Sequence, residues 1–252
     1  MLVPLYEAVH RRLDVGTGTR LLGLGCGSGL ALLMAASRGA SVTGVDSGSP
    51  ERTALARERL QPEGWGTRAR VGTRVVDGVP EDAVRGPGDP PYNLVTAFEP
   101  IGCLAGDSEG LGELLAAATP LAERGAPVVL AGWGPPERCT TSTVLRVATK
   151  LADPLRSAGS WRPALRDDLE EVAQRAGLKP DGSGRVACPF GYANVDNAVR
   201  GLLSTGLFDA AIRATDQAQV DKELTEALHP HRRRDGTVWM PNVFRYLIAR
   251  TP

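Results

Sequence analysis

An apolar run that breaks into alternating glycines, Leu21-Leu22-Gly23-Leu24-Gly25-Cys26-Gly27-Ser28-Gly29, constrains this chain more than any other segment. It reads as a strand turning tightly into a helix, because glycine accepts positive φ at no steric cost and lets a ligand approach the backbone N–H groups closely. The next apolar run, Ser41 to Val45, ends on Asp46. A short carboxylate fixed at that strand end stands where two ribose hydroxyls need an acceptor. The pattern points to an α/β chain with a nucleoside-cofactor site.

Glycine spacing separates the cofactors. A dinucleotide fingerprint G-x-G-x-x-G needs a third small residue, but the frame from Gly25 ends on Leu30 and that from Gly23 on Ser28. No Gly-Lys-Ser/Thr follows, which excludes a Walker A loop. The frame Gly25-x-Gly27-x-Gly29 resembles the first motif of class I S-adenosylmethionine (SAM) methyltransferases. Further segments resemble, in order and over nearly the whole chain, the UbiE-like or methyltransferase-domain-11 proteins. They are Leu5 to Val9, Gly18 to Leu22, Tyr92 to Phe98, Ala131-Gly132-Trp133-Gly134 and Asn242 to Leu247. The chain departs from that pattern at Gly23, where the family carries an acid that helps hold the methionine part of SAM. It departs again at Asn93, in place of a fourth-strand Asp, and at Ala122 to Ala126, in place of an Arg-Pro-Gly-Gly turn.

The resemblance implies a Rossmann-like seven-stranded sheet with a mostly helical cap, the last strand running antiparallel beside the sixth. At 252 residues one α/β domain is expected, with its core over about 15–135 and 178–252 and cap elements near 1–14, 136–164 and 194–230. Alternating apolar runs predict strands at Arg20 to Leu24, Ser41 to Asp46, Ala69 to Val76, Tyr92 to Phe98, Pro127 to Trp133, Arg185 to Phe190 and Thr237 to Ile248. Helices are predicted at Pro4 to Leu13, Gly29 to Arg38, Pro50 to Leu60, Glu109 to Glu123, Glu137 to Leu151 and Leu165 to Gly177, with a loop at Asp153 to Pro163 and a helical insert from Asn194 to His229. The helix after Gly29 is apolar nearly all round and is expected to be buried.

Gly25, Cys26, Gly27, Gly29, Asp46 and the adjacent Ser47 are the expected cofactor contacts. The resemblance adds Asp77 and Gly78, similar to a Gly-Asp motif whose carboxylate meets the adenine amine, with Val76 in place of the usual Gly and an ordinary Asp-Gly turn as the competing reading, and Phe98 at the fourth strand end. Glu99 follows it where donor and acceptor should meet. A carboxylate there can act as a base or anchor a substrate ammonium, and a solvated strand-end charge is the competing reading. Tyr6 and His10 share one face of the opening helix, which the resemblance lays over the cofactor as a lid, so either is a catalytic candidate able to reach the substrate, with a surface histidine as the competing reading of His10. Trp133 is expected to wall the substrate pocket, while Trp161, Phe190, Tyr192 and Trp239 read as core or cap aromatics.

The 29 basic and 29 acidic residues balance, so no global field steers the protein to nucleic acid or to an anionic membrane. Of the basic residues 26 are Arg, which with 30 Gly and 19 Pro resembles a high-GC bacterial composition. Cys26, Cys103, Cys139 and Cys188 have no zinc-ligand spacing and read as reduced thiols. His229-Pro230-His231 lacks neighbouring ligands, so no metal is expected, and Arg232-Arg233-Arg234 reads as a solvated loop. No secretory leader or run of about 18 apolar residues is present in the sequence, which points to the cytoplasm. The expected activity is SAM-dependent methyl transfer to a small molecule in bacterial specialised metabolism. The alternative is an enzyme of the same fold repurposed for elimination, cyclisation or ring closure. A homodimer or a small partner protein is compatible with either.

Overall fold

The computed structural model describes residues 1–61, 72–84, 86, 88–102, 106–152 and 168–252. Its centre is a seven-stranded sheet in the order β3-β2-β1-β4-β5-β9-β6. The strands are β1 Arg20–Leu24, β2 Ser41–Asp46, β3 Thr73–Asp77, β4 Leu94–Ile101, β5 Pro127–Trp133, β6 Lys179–Ala187 and β9 Val243–Arg250. A separate two-stranded ribbon pairs β7 Phe190–Tyr192 with β8 Val238–Met240. Strands β1 to β5 are parallel to their neighbours, and β9 runs antiparallel between β5 and β6. This is the expected seven-stranded α/β architecture.

Both faces of the sheet's centre are covered, which is why β1, β2 and β5 read as nearly continuous apolar runs in the sequence, while the edge strand β6 is largely exposed. On one face Leu21, Phe98, Val129 and Ala131 meet α1 (Val3–Arg12), α2 (Leu30–Ala36) and α3 (Pro50–Leu60). On the other, Leu22, Leu24, Val95 and Leu130 meet α4 (Asp107–Ala118) and α6 (Asp168–Arg175). The neighbouring residues Leu21 and Leu22 thus serve opposite layers, as the two-residue repeat of a strand requires. Beyond β5, α5 (Thr141–Ala152) packs on α8 (Asp209–Ala214) and α9 (Gln217–Leu228), and α9 packs on α7 (Val195–Leu203).

Capping follows the sequence chemistry. Ser49 Oγ accepts the Arg52 N–H at the start of α3, with Pro50 in the first turn, while Asn194 and Asp216 cap α7 and α9 in the same way. A side-chain oxygen at that position satisfies one of the free donors of the first turn.

Several boundaries differ from expectation. The strand predicted over Arg185 to Phe190 is two strands separated by Cys188-Pro189, and that predicted over Thr237 to Ile248 is divided at Pro241-Asn242. Proline has no N–H to carry a ladder onward, so each strand leaves the main sheet at a proline and continues in the small ribbon. Asn242 fills the second break. Its buried amide accepts the Thr141 N–H at 3.1 Å and donates to Met240 O, also at 3.1 Å, replacing ladder bonds. The expected helix from Glu137 starts at Thr141 because Pro135 and Pro136 hold a 3-10 turn before it. The helix α2 is half-buried along most of its length, only Leu32 and Ala35 being fully enclosed. The loop expected at 153–163, residues 69–71 of the third predicted strand, Cys103 and Trp161 lie outside the described residues.

Candidate active site

The three loop glycines divide the work. Gly25, Gly27 and Gly29 all have positive φ, at 56°, 51° and 75°. A Cβ on Gly29 would lie 2.9 Å from that of Ala56, so this glycine lets α2 and α3 approach closely. A Cβ on Gly27 would meet nothing within 4 Å, which makes Gly27 the open face of the turn. One on Gly25 would lie 3.2 Å from Glu99 Oε2, across the gap between β1 and β4.

The loop uses its own donors more than the sequence suggests. Cys26 N–H bonds Val45 O, and Gly29 N–H bonds Cys26 O. Gly27 N–H bonds Asp46 Oδ2 at 2.6 Å, while Gly48 N–H bonds Asp46 Oδ1 at 2.8 Å. Arg59 holds the loop from outside through Ser28 O and Oγ. What the turn offers a ligand is therefore the uncovered surface of Gly27 beside a buried carboxylate. Each Asp46 oxygen retains further acceptor capacity for a hydroxyl. Ser47 follows directly and is exposed, and Ser49 takes the helix-capping role that would otherwise compete for Asp46.

The Cys26 side chain turns down toward the sheet, within 2.8 Å of where a Cβ on Gly44 would stand. Burial and the Asp46 charge push its thiol up to about 12, so it is neutral packing beneath the loop. Asp77 closes β3 opposite Asp46 in the parallel register and is exposed, and Gly78 N–H bonds Asp46 O at 3.1 Å. The two acids predicted for ribose and adenine thus stand on adjacent strand ends.

Across the gap, the β4 ladder is interrupted where the chemistry is expected. Pairing with β1 ends at Leu24↔Ala97, and pairing with β5 skips from Ala97↔Leu130 to Ile101↔Gly132. Phe98, Glu99 and Pro100 bulge from the ladder, a device that re-aims side chains at sheet ends. The bulge sits where the strand order reverses direction, the position at which open α/β sheets form their ligand crevice. Glu99 is solvent-accessible at the rim, and among the described residues it makes no hydrogen bond or close ion pair. Partial burial of its carboxyl, with Asp46 and Asp107 nearby, raises its pKa, while Arg52 pulls the other way. Arg52 was not evident from the sequence. It lies in the first turn of α3, bonds Thr205 O at 3.3 Å, and so links the cofactor side to the α7–α8 connection. Its only sequence signal is a position six residues past Asp46.

Tyr6 and His10 both meet Phe98, with ring centroids at 4.9 and 6.1 Å. Burial, Cys188 and Glu99 push the Tyr6 phenol up to about 12, which keeps it a neutral donor at the edge of the site. His10 is completely buried, both ring nitrogens are unpartnered, and burial with the Arg38 charge lowers its pKa to about 4. It is a neutral core imidazole, out of reach of a substrate in this arrangement. Leu5 and Val9 are equally enclosed, so α1 is built into the core layer against α2 and β6. Trp133 packs in an aromatic cluster with Phe244, at 4.5 Å, and Phe190, at 6.3 Å.

At the expected acid position, the space a side chain on Gly23 would need is taken by Leu32. A Cβ there would lie 2.8 Å from Leu32 Cδ2, and the adjacent Gly44 is roofed by the same leucine. A separate cleft of about 570 Å³, lined by Val84, Asp89, Pro90, Pro91, Tyr92 and Pro120, opens at the other end of β4, away from these groups. Among the described residues no cluster of His, Cys, Asp and Glu could hold a metal, and no helix is long and apolar enough to cross a membrane.

No family model and no curated protein matches the chain. Solved structures match it over nearly its whole length at low identity. The 4+2 cyclase SpnF is similar at 16% identity and a TM-score of 0.57, over 98% of this chain and 80% of its own. The cyclopropane synthase from Mycobacterium tuberculosis is similar at 16% identity and 0.56, over 98% and 83%. The geranyl diphosphate C-methyltransferase from Streptomyces coelicolor A3(2), solved with S-adenosyl-L-homocysteine, is similar at 16% identity and 0.52, over 98% and 78%. Sheet order, glycine turn and structural likeness together assign the chain the Rossmann-like fold of class I SAM-dependent methyltransferases.

Proposed function

We propose that the protein is a SAM-dependent methyltransferase acting on a small molecule in bacterial specialised metabolism. The observation that carries this reading is the open Gly27 surface beside the buried Asp46 carboxylate at the carboxyl ends of β1 and β2. That pairing suits a nucleoside, with Asp46 for the ribose and Asp77 at the next strand end for the adenine amine. When bound, SAM would supply an electrophilic methyl group on a sulfonium. The residues of this chain hold and orient the partners, and proximity contributes much of the acceleration. Phe98, backed by Tyr6, forms an apolar wall next to Glu99, which limits water at the reacting end.

A second reading has its own observation in favour. Position 23 carries no acid and the Leu32 side chain lies over it, and one structural neighbour with this fold is a cyclase. An enzyme that keeps the fold without transferring methyl is consistent with both. Titration calorimetry with SAM, followed by product analysis with and without it, separates the readings. Strict dependence on SAM with release of S-adenosylhomocysteine supports methyl transfer. Equal product in its absence, without a gained methyl group, supports repurposing.

A further inference from the structure

Three features of the site require a common explanation. At the end of β1 the Leu32 side chain lies over Gly23 and Gly44, with Leu32 Cδ2 2.8 Å from where a Cβ on Gly23 would stand, so an acid there requires that side chain to move. Glu99, six residues beyond Asn93 and on the bulged β4, brings its carboxylate against Gly25, the first glycine of the turn. That carboxylate also lacks a hydrogen-bond or close ion-pair partner among the described residues, and the nearby Arg52 is directed to Thr205 O. An acid held against a cofactor turn, with Asp46 and Asp107 nearby and no hydrogen-bond or close ion-pair partner among the described residues, is complementary to a cationic ligand group even with Arg52 in its vicinity.

We propose that Glu99 supplies the negative charge that the chain lacks at Gly23 and receives the α-ammonium of the methionyl part of SAM or S-adenosylhomocysteine. The inference rests on the SAM reading above and gives Glu99 a binding role in place of a base. The acid has moved from the end of β1 to the neighbouring strand, across the same gap and against the same turn. A glycine at position 23 is then no loss of charge from the site. Leu32 packs the β1–α2 junction over Gly23, and β4 carries the recognition.

The test uses calorimetry on the full chain with three probes: S-adenosylhomocysteine, its desamino analogue, and 5′-methylthioadenosine, which lacks the amino-acid part. Wild-type protein should bind S-adenosylhomocysteine about tenfold to a hundredfold more tightly than the desamino analogue, the ratio expected of a charge-assisted hydrogen bond. In Glu99→Gln that preference should vanish, while affinity for 5′-methylthioadenosine stays at the wild-type level. Glu99→Asp, which keeps the charge, should retain part of the preference, and a thermal melt establishes that each variant is folded. A preference for the amino compound that survives in Glu99→Gln overturns the inference, as does an equal loss for all three probes. If the wild type binds 5′-methylthioadenosine but does not distinguish the other two, the ammonium assignment falls and the nucleoside reading stands. If it binds none of the three, both fall.

Discussion

The ends of β2 and β4 each present a carboxylate to the same glycine turn, and they are built in opposite ways. Asp46 is buried and takes a backbone N–H on each oxygen, so it is part of the turn's own framework. Glu99 stands on a bulge with neither ladder neighbour in register, and its carboxylate has no hydrogen-bond or close ion-pair partner among the described residues. A carboxylate can therefore serve a nucleotide-type site in two roles: one shapes the loop, and the other waits for a ligand. Removing the first should cost stability as well as binding, whereas removing the second should cost binding alone.

The most drastic way to break this comparison is to remove what supports the Glu99 end. Deleting residues 1–14 takes away Leu5, Val9 and His10, all completely buried, and leaves Phe98 without its covering helix. Each buried aliphatic side chain contributes about 2 to 5 kcal/mol, against a total domain stability of about 5 to 15 kcal/mol. The truncated protein should lose its cooperative urea transition. A truncated protein with a normal transition and reduced turnover would instead restore the lid reading of this helix.

Asp46→Ala should come next, destabilising the fold by about 2 to 4 kcal/mol through two lost charge-assisted bonds and weakening nucleoside binding with it. Denaturant melts of Asp46→Ala and Glu99→Gln side by side test the contrast directly. Equal stabilities in the two variants would remove it.

His10 sharpens the same contrast through pH. Its pKa falls from 6.5 in the unfolded chain to about 4 in the folded one, because burial and Arg38 disfavour the charged form. The unfolded state therefore binds the proton more readily. Stability is complete above pH 6.5 and is lost as pH falls from there to about 4, by about 3 kcal/mol from this group. His10→Phe should flatten that part of the stability profile, measured by denaturant melts at pH 7.5, 6 and 5. An unchanged profile would show that His10 has a polar partner in solution.

The smallest effect is expected at Gly23. Restoring the family acid with Gly23→Asp should not tighten SAM binding while Leu32 is present, since the new Cβ would lie 2.8 Å from Leu32 Cδ2. Overpacking of that kind costs about 1 to 3 kcal/mol. A tighter complex in the single variant would show that the leucine yields and that the missing acid limits the donor site.

The strands β1, β2 and β5 and the helix α3 were legible to the residue, because continuous apolar runs and strong caps leave local and global preferences in agreement. The glycine turn and Asp46 were legible for the same reason, being local in sequence. The remainder of the site depends on contacts between distant segments. Sequence gives no sign that Leu32 covers Gly23, that Arg52 reaches Thr205, or that β4 bulges at Glu99. His10 looked like a surface or catalytic histidine because one helical turn from Tyr6 says which face they share but not what covers that face. The strands broken at Pro189 and Pro241 were over-extended in the reading because apolar residues continue past each proline into the ribbon.

The place of β9 has a consequence for the order of assembly. Ala249 pairs with Val128 of β5 on one side and Pro180 of β6 on the other, so these two strands share no ladder except through it. During synthesis, β6 emerges before β9, the strand that ties it to the growing sheet. The first five strands can pair as they appear, while β6, from Lys179 to Ala187, remains without its sheet partner until residues 243–250 arrive. Pairings so distant in sequence are slow to form and leave apolar surface exposed meanwhile. The last strand of the sheet is thus a closing clasp, and damage to it should appear first as poor folding yield.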